Sequence, residues 1–310
     1  MTPGAGPDAA AASPGAASSA WTLRGKTCLI TGANSGLGRE SALALARLGA
    51  EVILACRNRE AGEKTAHGII EATGNSNVHL QVADLSSQSQ IRDLAAAVLD
   101  RHPRLHVLMN NAGVLLGRRQ TTVEGYETTF AVNHLAYFLL TRLLLDRLRA
   151  SAPARIINVS SFVHRWVKLR FDDLFSTRRY LPMEVYAASK LANILFTYAL
   201  ARRLKGGRVT VNCLHPGVVA TEFGRQGSAL YLALKKLARP LFFASPAKGA
   251  RTQIHLAVSP EVDGITGSYF ANNRIAESSA YSHDRKAQER LWDISERLTG
   301  LPPWPSPEEG

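Results

Sequence analysis

At 310 residues, with 45% hydrophobic and 20% charged side chains, the chain has the composition of a globular protein with a substantial core. The formal net charge is +12, but the lysines and arginines are spread along the sequence without a block of about five or more, so nucleic-acid binding is not expected. The positive charge then indicates either a solvated surface or attraction to anionic cofactor phosphates and membrane headgroups.

Several features of the sequence indicate where the protein resides. The sequence contains no run of about 18 apolar residues, so no transmembrane helix is expected. Residues 1–20 are rich in Ala, Gly, Pro and Ser, so a disordered tail is expected there and not a signal peptide. Cys28, Cys56 and Cys213 show neither a disulfide framework nor metal-ligand spacing, so no metal site is expected. These features predict a cytoplasmic protein.

Short apolar or β-branched runs alternate with amphipathic stretches from Leu23 onward. The runs predict strands at residues 27–31, 51–56, 78–83, 106–110, 155–160 and 208–214. Because parallel strands need crossover helices, the alternation predicts an α/β fold, a doubly wound parallel sheet with helices on both faces. No linker or repeat interrupts the pattern, so residues 21–310 are expected to form a single domain. In such sheets ligands bind beyond the carboxyl ends of the strands.

A glycine-rich turn follows the first predicted strand and precedes a helix. Glycines let the backbone turn tightly and approach a pyrophosphate, which then meets the free N–H groups at the start of the helix. A plain polar turn is the alternative, but the strand before and the helix after it favour dinucleotide binding. The residues predicted to contact the cofactor here are Gly32, Asn34, Ser35, Gly36, Leu37 and Gly38.

The ends of the second and third strands predict which dinucleotide is bound. Doubly wound proteins that bind NAD usually carry a carboxylate after the second strand, where this sequence has Arg57. A guanidinium there can pair with the 2′-phosphate of NADP(H), whereas the alternative is an ordinary surface arginine. Asp84, followed by Leu85, is expected to hold the adenine amino group, to cap the next helix, or both.

The candidates for the chemical step lie further along the chain. Asn111, Ala112 and Gly113 follow the fourth strand, where small residues leave space for the cofactor. Tyr186 and Lys190 are four positions apart on a predicted helix and therefore share one face. A nearby cation lowers the pKa of a tyrosine, ordinarily about 10, towards the range of a general acid/base.

Two further polar residues complete this constellation. Ser161 is predicted to hydrogen-bond the substrate oxygen, and Asn133 to hold a water that relays protons. Each of the four residues has a structural alternative when taken alone, but their combined occurrence favours catalysis. Three histidines near the motifs are interpreted as structural, because Tyr186 already fills the acid/base role: they are His134, His164 and His215.

With these motifs, the sequence from about Leu23 to Pro302 resembles the short-chain dehydrogenase/reductase family. The resemblance implies a Rossmann fold with seven parallel strands and hydride transfer between a nicotinamide and a carbon bearing oxygen. It also implies that Lys190 grips the nicotinamide ribose. The loop that follows His215 would lie against the nicotinamide, and its residues are Pro216, Gly217, Val218, Val219 and Thr221.

Within the family, the sequence looks most like the retinol dehydrogenase group. The resemblance rests on residues 55–57, 186–193 and 291–295 and on a long insert between Ser161 and Tyr186. It implies NADP(H) and a lipophilic substrate such as a retinoid. Some relatives begin with a hydrophobic membrane anchor, which this tail does not supply, so at most a peripheral membrane contact is expected.

The segment near 221–246 is apolar with a short basic edge and is predicted to cover the substrate. A core-packed helix and a cover that also touches a membrane are the alternatives.

The predicted function is oxidoreduction of a lipophilic alcohol/carbonyl pair with NADP(H), with retinol and retinal as candidates. Two alternatives stay open: a reductase of steroid, xenobiotic or lipid-derived carbonyls, and an NADP(H)-binding sensor or scaffold without turnover. Pairing of subunits into a homodimer through the helices around Tyr186 also stays open.

Overall fold

A computed structural model of the chain describes residues 21–217 and 245–304. The predicted tail and almost all of the predicted substrate cover, residues 221–246, lie outside the described residues.

The described residues form one sheet in the order β3-β2-β1-β4-β5-β6-β7-β8. Its strands are β1 (Thr27–Thr31), β2 (Glu51–Cys56), β3 (Val78–Val82), β4 (Val107–Asn110), β5 (Ala154–Val159), β6 (Val209–His215), β7 (Tyr269–Ala271) and β8 (Arg274–Ile275). Neighbouring strands from β3 to β7 are parallel, whereas β8 is a two-residue antiparallel edge strand. The seven parallel strands confirm the doubly wound Rossmann prediction, and β8 adds an eighth strand.

Helices cover both faces of the sheet. They are α1 (Gly36–Arg47), α2 (Arg59–Thr73), α3 (Gln88–Arg101), α4 (Thr128–Phe130), α5 (Ala136–Ala150), α6 (Pro182–Arg203), α7 (Pro246–Val258) and α8 (Arg285–Thr299). A π-helical turn (Ala131–Leu135) joins α4 to α5, and three short 3-10 segments lie at Phe162–Trp166, Pro260–Val262 and Ala280–His283.

Successive residues of one strand enter opposite halves of the core. Leu29 packs with residues of α3, α5, α6 and α8, whereas its neighbour Ile30 packs with residues of α1, α2 and α7. Because both faces of β1 and β4 are covered, every residue of these strands is buried. This double burial explains why the strands have continuous apolar sequences.

The helix from Thr128 to Ala150 is long and apolar enough to cross a membrane by length and composition. This helix comprises α4, the π-helical turn and α5 and has 23 residues, but 83% of its 18-residue apolar stretch is buried inside the fold. Phe138 and Leu144 on this helix are completely buried. This burial is that of a core helix packed within the sheet-and-helix layers.

The C-terminal helix α8 packs on α5 and α6. Trp292 is 2% exposed, and its ring lies 5.0 Å from Phe138 and 5.9 Å from Phe196. An ion pair joins Arg142 of α5 to Glu296 of α8. The parts of α5 and α6 that contact α8 are therefore buried within the same chain.

Candidate active site

The glycine turn after β1 has room for backbone only. Gly32 and Gly36 have φ angles of 65° and 53°, which side chains rarely adopt. A Cβ at Gly38 would stand 2.3 Å from the carbonyl oxygen of Gly32, and a Cβ at Gly32 would stand 2.9 Å from the Cα of Ala112. The turn therefore depends on glycine at positions 32 and 38, as the predicted close backbone approach requires.

The start of α1 is suited to an anion. Ser35 is its N-cap residue but makes no side-chain cap hydrogen bond, and the first turn carries no acidic residue. Leu37 is buried, and Asn34 uses its carbonyl oxygen to accept a hydrogen bond from Thr65 at 3.2 Å. The first-turn N–H groups thus receive no side-chain cap, which fits a phosphate at this end of the helix.

Asn111 lies beneath the glycine turn and supports it. Its Nδ2 donates to the carbonyl oxygen of Thr31 at 2.8 Å, and its Oδ1 accepts a 3.4 Å hydrogen bond from Gln253. Gln253 is fully buried on α7 and also donates to Ser41 at 2.6 Å. Because the Asn111 side chain is committed to the turn, a cofactor contact at this residue would involve its backbone.

Sequence reasoning missed Gln253. Its partners Leu37 and Asn111 are 216 and 142 positions away, so no local pattern marks it. Ala112 and Gly113 follow Asn111 and are partly buried, and the Ala112 carbonyl accepts a hydrogen bond from the Tyr137 hydroxyl at 2.6 Å.

Arg57 and Asp84 come together at the carboxyl ends of β2 and β3. Arg57 Nη1 lies 3.8 Å from Asp84 Oδ2, and the Arg57 side chain is 76% exposed. Asp84 also accepts hydrogen bonds from the backbone N–H and the hydroxyl of Ser86. The alternative that Asp84 caps the next helix is wrong, because the turn places Ser87 at the N-cap of α3. Leu85 is buried in the core below.

Ser161, Tyr186 and Lys190 converge beyond the end of β5. The Ser161 hydroxyl hydrogen-bonds the Tyr186 hydroxyl, and Lys190 Nζ lies 5.7 Å from the centre of the Tyr186 ring. The ammonium donates to the carbonyl oxygen of Val159, the last residue of β5, at 2.9 Å. The carbonyl of Lys190 in turn accepts from the Ser160 hydroxyl at 2.7 Å, so α6 is fixed to this strand end.

The ionisation of this pair differs from the sequence-based expectation. Burial raises the pKa of Tyr186, and the Ser161 hydrogen bond only partly opposes that rise. Burial also lowers the pKa of Lys190 to about 7. The expected lowering of the Tyr186 pKa is absent because desolvation disfavours both the tyrosinate and the lysine ammonium. Desolvation thus also weakens the cation that would stabilise a tyrosinate.

Asn133 lies within the π-helical turn, which sequence reasoning did not predict. Its Oδ1 accepts from the backbone N–H of Val114 at 2.8 Å, and its Nδ2 donates to the Val114 carbonyl and to Ser189 Oγ. Ser189 Oγ donates to the Tyr186 carbonyl at 2.7 Å. The side chain therefore connects this turn to α6, and a water held at Asn133 would have to use its backbone carbonyl.

The remaining predicted residues follow β6. Pro216 and Gly217 are described, and Gly217 has a φ of 83°. Three predicted cofactor contacts lie outside the described residues, namely Val218, Val219 and Thr221. His134 is buried among aromatic rings, and burial lowers its pKa to about 3, so it is neutral. Within residues 21–217 and 245–304, no three His, Cys, Asp or Glu side chains gather as they would around a metal ion.

Comparison with known proteins agrees with this geometry. The family model described as short chain dehydrogenase matches residues 26–229. Retinol dehydrogenase 12 of Mus musculus is 45% identical over 279 residues, covering 90% of this chain and 88% of that protein.

Two solved structures that name their cofactor are also similar. The Pseudomonas aeruginosa RhlG/NADP active-site complex is 29% identical, with a TM-score of 0.65, and covers 80% of this chain and 95% of its own. A short chain dehydrogenase from Escherichia coli complexed with NADPH is 29% identical, with a TM-score of 0.64, and the match covers 80% of this chain and 96% of that chain. The chain therefore belongs to the short chain dehydrogenase family of oxidoreductases and is similar to the retinol dehydrogenases.

Proposed function

We propose that the protein is an NADP(H)-dependent oxidoreductase that interconverts a lipophilic alcohol and its carbonyl compound, with retinol and retinal as one such pair. The observation that carries the proposal is the convergence of Ser161, Tyr186 and Lys190 beyond the carboxyl end of β5. A hydrogen-bond donor and a general acid/base thus lie at the edge of the sheet where doubly wound folds bind their ligands.

The glycine turn and the uncapped start of α1 would hold the pyrophosphate of the dinucleotide. When bound, the dinucleotide supplies the hydride for carbonyl reduction, or accepts it in alcohol oxidation. Arg57 would pair with the 2′-phosphate, since its exposed guanidinium ends β2 where a carboxylate would serve NAD. The NADP and NADPH complexes of the two similar structures support this choice.

Each catalytic side chain has a role in the reductive direction. The Tyr186 hydroxyl donates its proton to the substrate oxygen as negative charge develops there, and the Ser161 hydroxyl hydrogen-bonds the same oxygen. Lys190, whose pKa of about 7 lies near physiological pH, takes up or releases a proton beside this tyrosine. Asn133 holds α6 in place through Ser189.

Exposed apolar side chains beside the catalytic residues support a lipophilic substrate. Phe162 and Trp166 lie on the 3-10 segment that directly follows Ser161, and Met183 lies one helical turn before Tyr186. All three are exposed, so apolar surface is available next to the site. The name of the similar mouse protein, retinol dehydrogenase 12, agrees with such a substrate.

The test is NADPH consumption across a panel containing all-trans-retinal, aliphatic aldehydes, a steroid ketone and an aromatic ketone. A matched panel with NADH serves as the control for cofactor choice. We expect turnover of the lipophilic aldehydes with NADPH. Saturable NADPH binding without consumption across the panel would contradict the enzyme assignment and favour a sensor or scaffold.

A further inference from the structure

His164 bridges the backbone of Ser161 to a segment near the C-terminal helix. Its Nδ1 lies 2.7 Å from the carbonyl oxygen of Ser161, and its Nε2 lies 3.0 Å from the backbone nitrogen of Ser279. The side chain is fully buried, with its ring 5.1 Å from that of Tyr269. Both ring nitrogens therefore have a backbone partner.

The two partners define the protonation state of His164. A carbonyl oxygen can only accept a hydrogen bond, so Nδ1 carries the hydrogen. A backbone N–H can only donate, so Nε2 carries the lone pair. The ring is thus the neutral Nδ1–H tautomer, and the lowering of its pKa by burial agrees with this state.

A second histidine holds the same peptide group from the other side. The N–H of Phe162 donates to Nδ1 of His215 at 3.3 Å. The Ser161 carbonyl and the Phe162 N–H belong to one peptide unit, and its orientation sets the Ser161 ψ angle of 154°. His215 is also neutral, because burial lowers its pKa to about 4.

We propose that His164, together with His215, is a positioning residue that fixes the Ser161–Phe162 peptide and thereby aims the Ser161 hydroxyl at the substrate oxygen. This inference rests on the proposed function, since it assigns the two histidines a task in the same reaction. A purely structural role is the alternative, in which His164 only fills space against Tyr269 and anchors Ser279.

Two conservative variants separate these roles. In His164→Asn the amide nitrogen takes the place of Nδ1 and can still donate to Ser161. In His164→Gln the amide oxygen takes the place of Nε2 and can still accept from Ser279. We expect His164→Asn to keep kcat within about threefold of wild type and His164→Gln to lose roughly tenfold or more, because small misplacements of reacting groups are costly. NADPH affinity should be unchanged in both.

His215 provides the matched pair on the other side. His215→Asn keeps an acceptor for the Phe162 N–H, whereas His215→Leu removes it. We expect only the leucine variant to lower kcat. Melting temperatures of all four variants serve as the control, because a structural role predicts that kcat losses follow stability losses.

The result that overturns the positioning role is a loss of kcat by His164→Asn as large as that by His164→Gln, or losses that track the melting temperatures. Nitrogen-15 NMR of the His164 ring at pH 7 adds a readout without turnover, and an Nε2–H tautomer or a cation would also overturn the proposal. A wild-type protein that binds NADPH but reduces no carbonyl overturns the proposed function and with it this catalytic positioning. Normal wild-type turnover with the wrong tautomer overturns the positioning alone.

Discussion

Arg57 Nη1 and Asp84 Oδ2 lie 3.8 Å apart at the carboxyl ends of the neighbouring strands β2 and β3. The carboxylate keeps the guanidinium beside the position proposed for the 2′-phosphate, but it also competes with that phosphate for the same charge. An exposed ion pair of this length contributes little to stability, so Arg57 can exchange partners at small cost.

The first prediction concerns this arginine. Arg57→Asp should weaken NADPH binding by about ten- to a hundredfold, because charge-assisted hydrogen bonds to the phosphate are lost and repulsion is added. NADH binding should change little or improve. Arg59→Asp is the matched control, since Arg59 is a nearby exposed arginine that pairs with Glu63 at 3.6 Å. Titration of both cofactors measures the ratio, and an unchanged preference in Arg57→Asp would place the phosphate elsewhere.

The second prediction concerns the proton donor. Tyr186→Phe should leave NADPH affinity nearly intact and lower turnover by about 100-fold or more, the usual range of general acid/base catalysis. The control is Tyr198→Phe on the same helix. The Tyr198 hydroxyl lies 2.7 Å from the Ser278 hydroxyl and forms its hydrogen bond there and not with Ser161. Steady-state kinetics with the best aldehyde measures both variants. Near-normal turnover of Tyr186→Phe would exclude it as the acid.

The third prediction concerns substrate length. Longer aliphatic aldehydes should have higher kcat/KM than short ones, through about 0.8 kcal/mol for each buried methylene. If Phe162 and Trp166 contribute to this surface, Trp166→Ala should reduce the gain for each added methylene. Kinetics over chains of about four to ten carbons measures the slope. A flat profile in the wild type argues against an apolar substrate site.

The fourth prediction concerns pH. Burial lowers the pKa values of His106 and His215 to about 4 and that of His134 to about 3, below their ordinary value of 6.5. The unfolded chain therefore binds more protons between these values and 6.5, so the free energy of unfolding should fall as the pH drops through that window. Each neutral histidine contributes a slope of about 1.4 kcal/mol per pH unit.

Urea denaturation at several pH values from 7 to about 4.5 measures this slope. His134→Phe removes one titrating group from an aromatic environment and should make the pH dependence shallower, whatever its effect on stability at neutral pH. An equal slope in the variant would show that His134 is not neutral in the folded protein.

The fifth prediction concerns α8. Trp292→Ala should lower the free energy of unfolding by about 3–5 kcal/mol, because it leaves a cavity between α5, α6 and α8. Trp166→Ala is the control, since this tryptophan is 57% exposed and a surface substitution of this kind typically changes stability by less than about 0.5 kcal/mol. A loss of unfolding free energy in Trp292→Ala as small as that in Trp166→Ala would mean that α8 contributes little to the fold.

The central strands and the motifs at their ends could be predicted from the sequence because both are local. β1 and β2 have the predicted bounds, since strands buried on both faces have continuous apolar runs. The three residues of β7 and the two of β8 are too short to show such a pattern.

Supporting residues could not be predicted in this way. The link from His164 to Ser279 spans 115 positions, and that from Asn111 to Gln253 spans 142. The pKa values of Tyr186 and Lys190 likewise depend on burial by the whole fold, which the spacing of the two residues along a helix does not reveal.

The position of α8 late in the chain has a consequence for biosynthesis. A growing chain that has reached Lys190 contains Asn133, Ser161 and Tyr186. It lacks Ser279, which fixes His164, and Trp292, which packs behind α5 and α6. The nascent protein therefore exposes the apolar sides of α5 and α6 until α8 has been synthesised, and during this interval the incomplete chain is prone to aggregation.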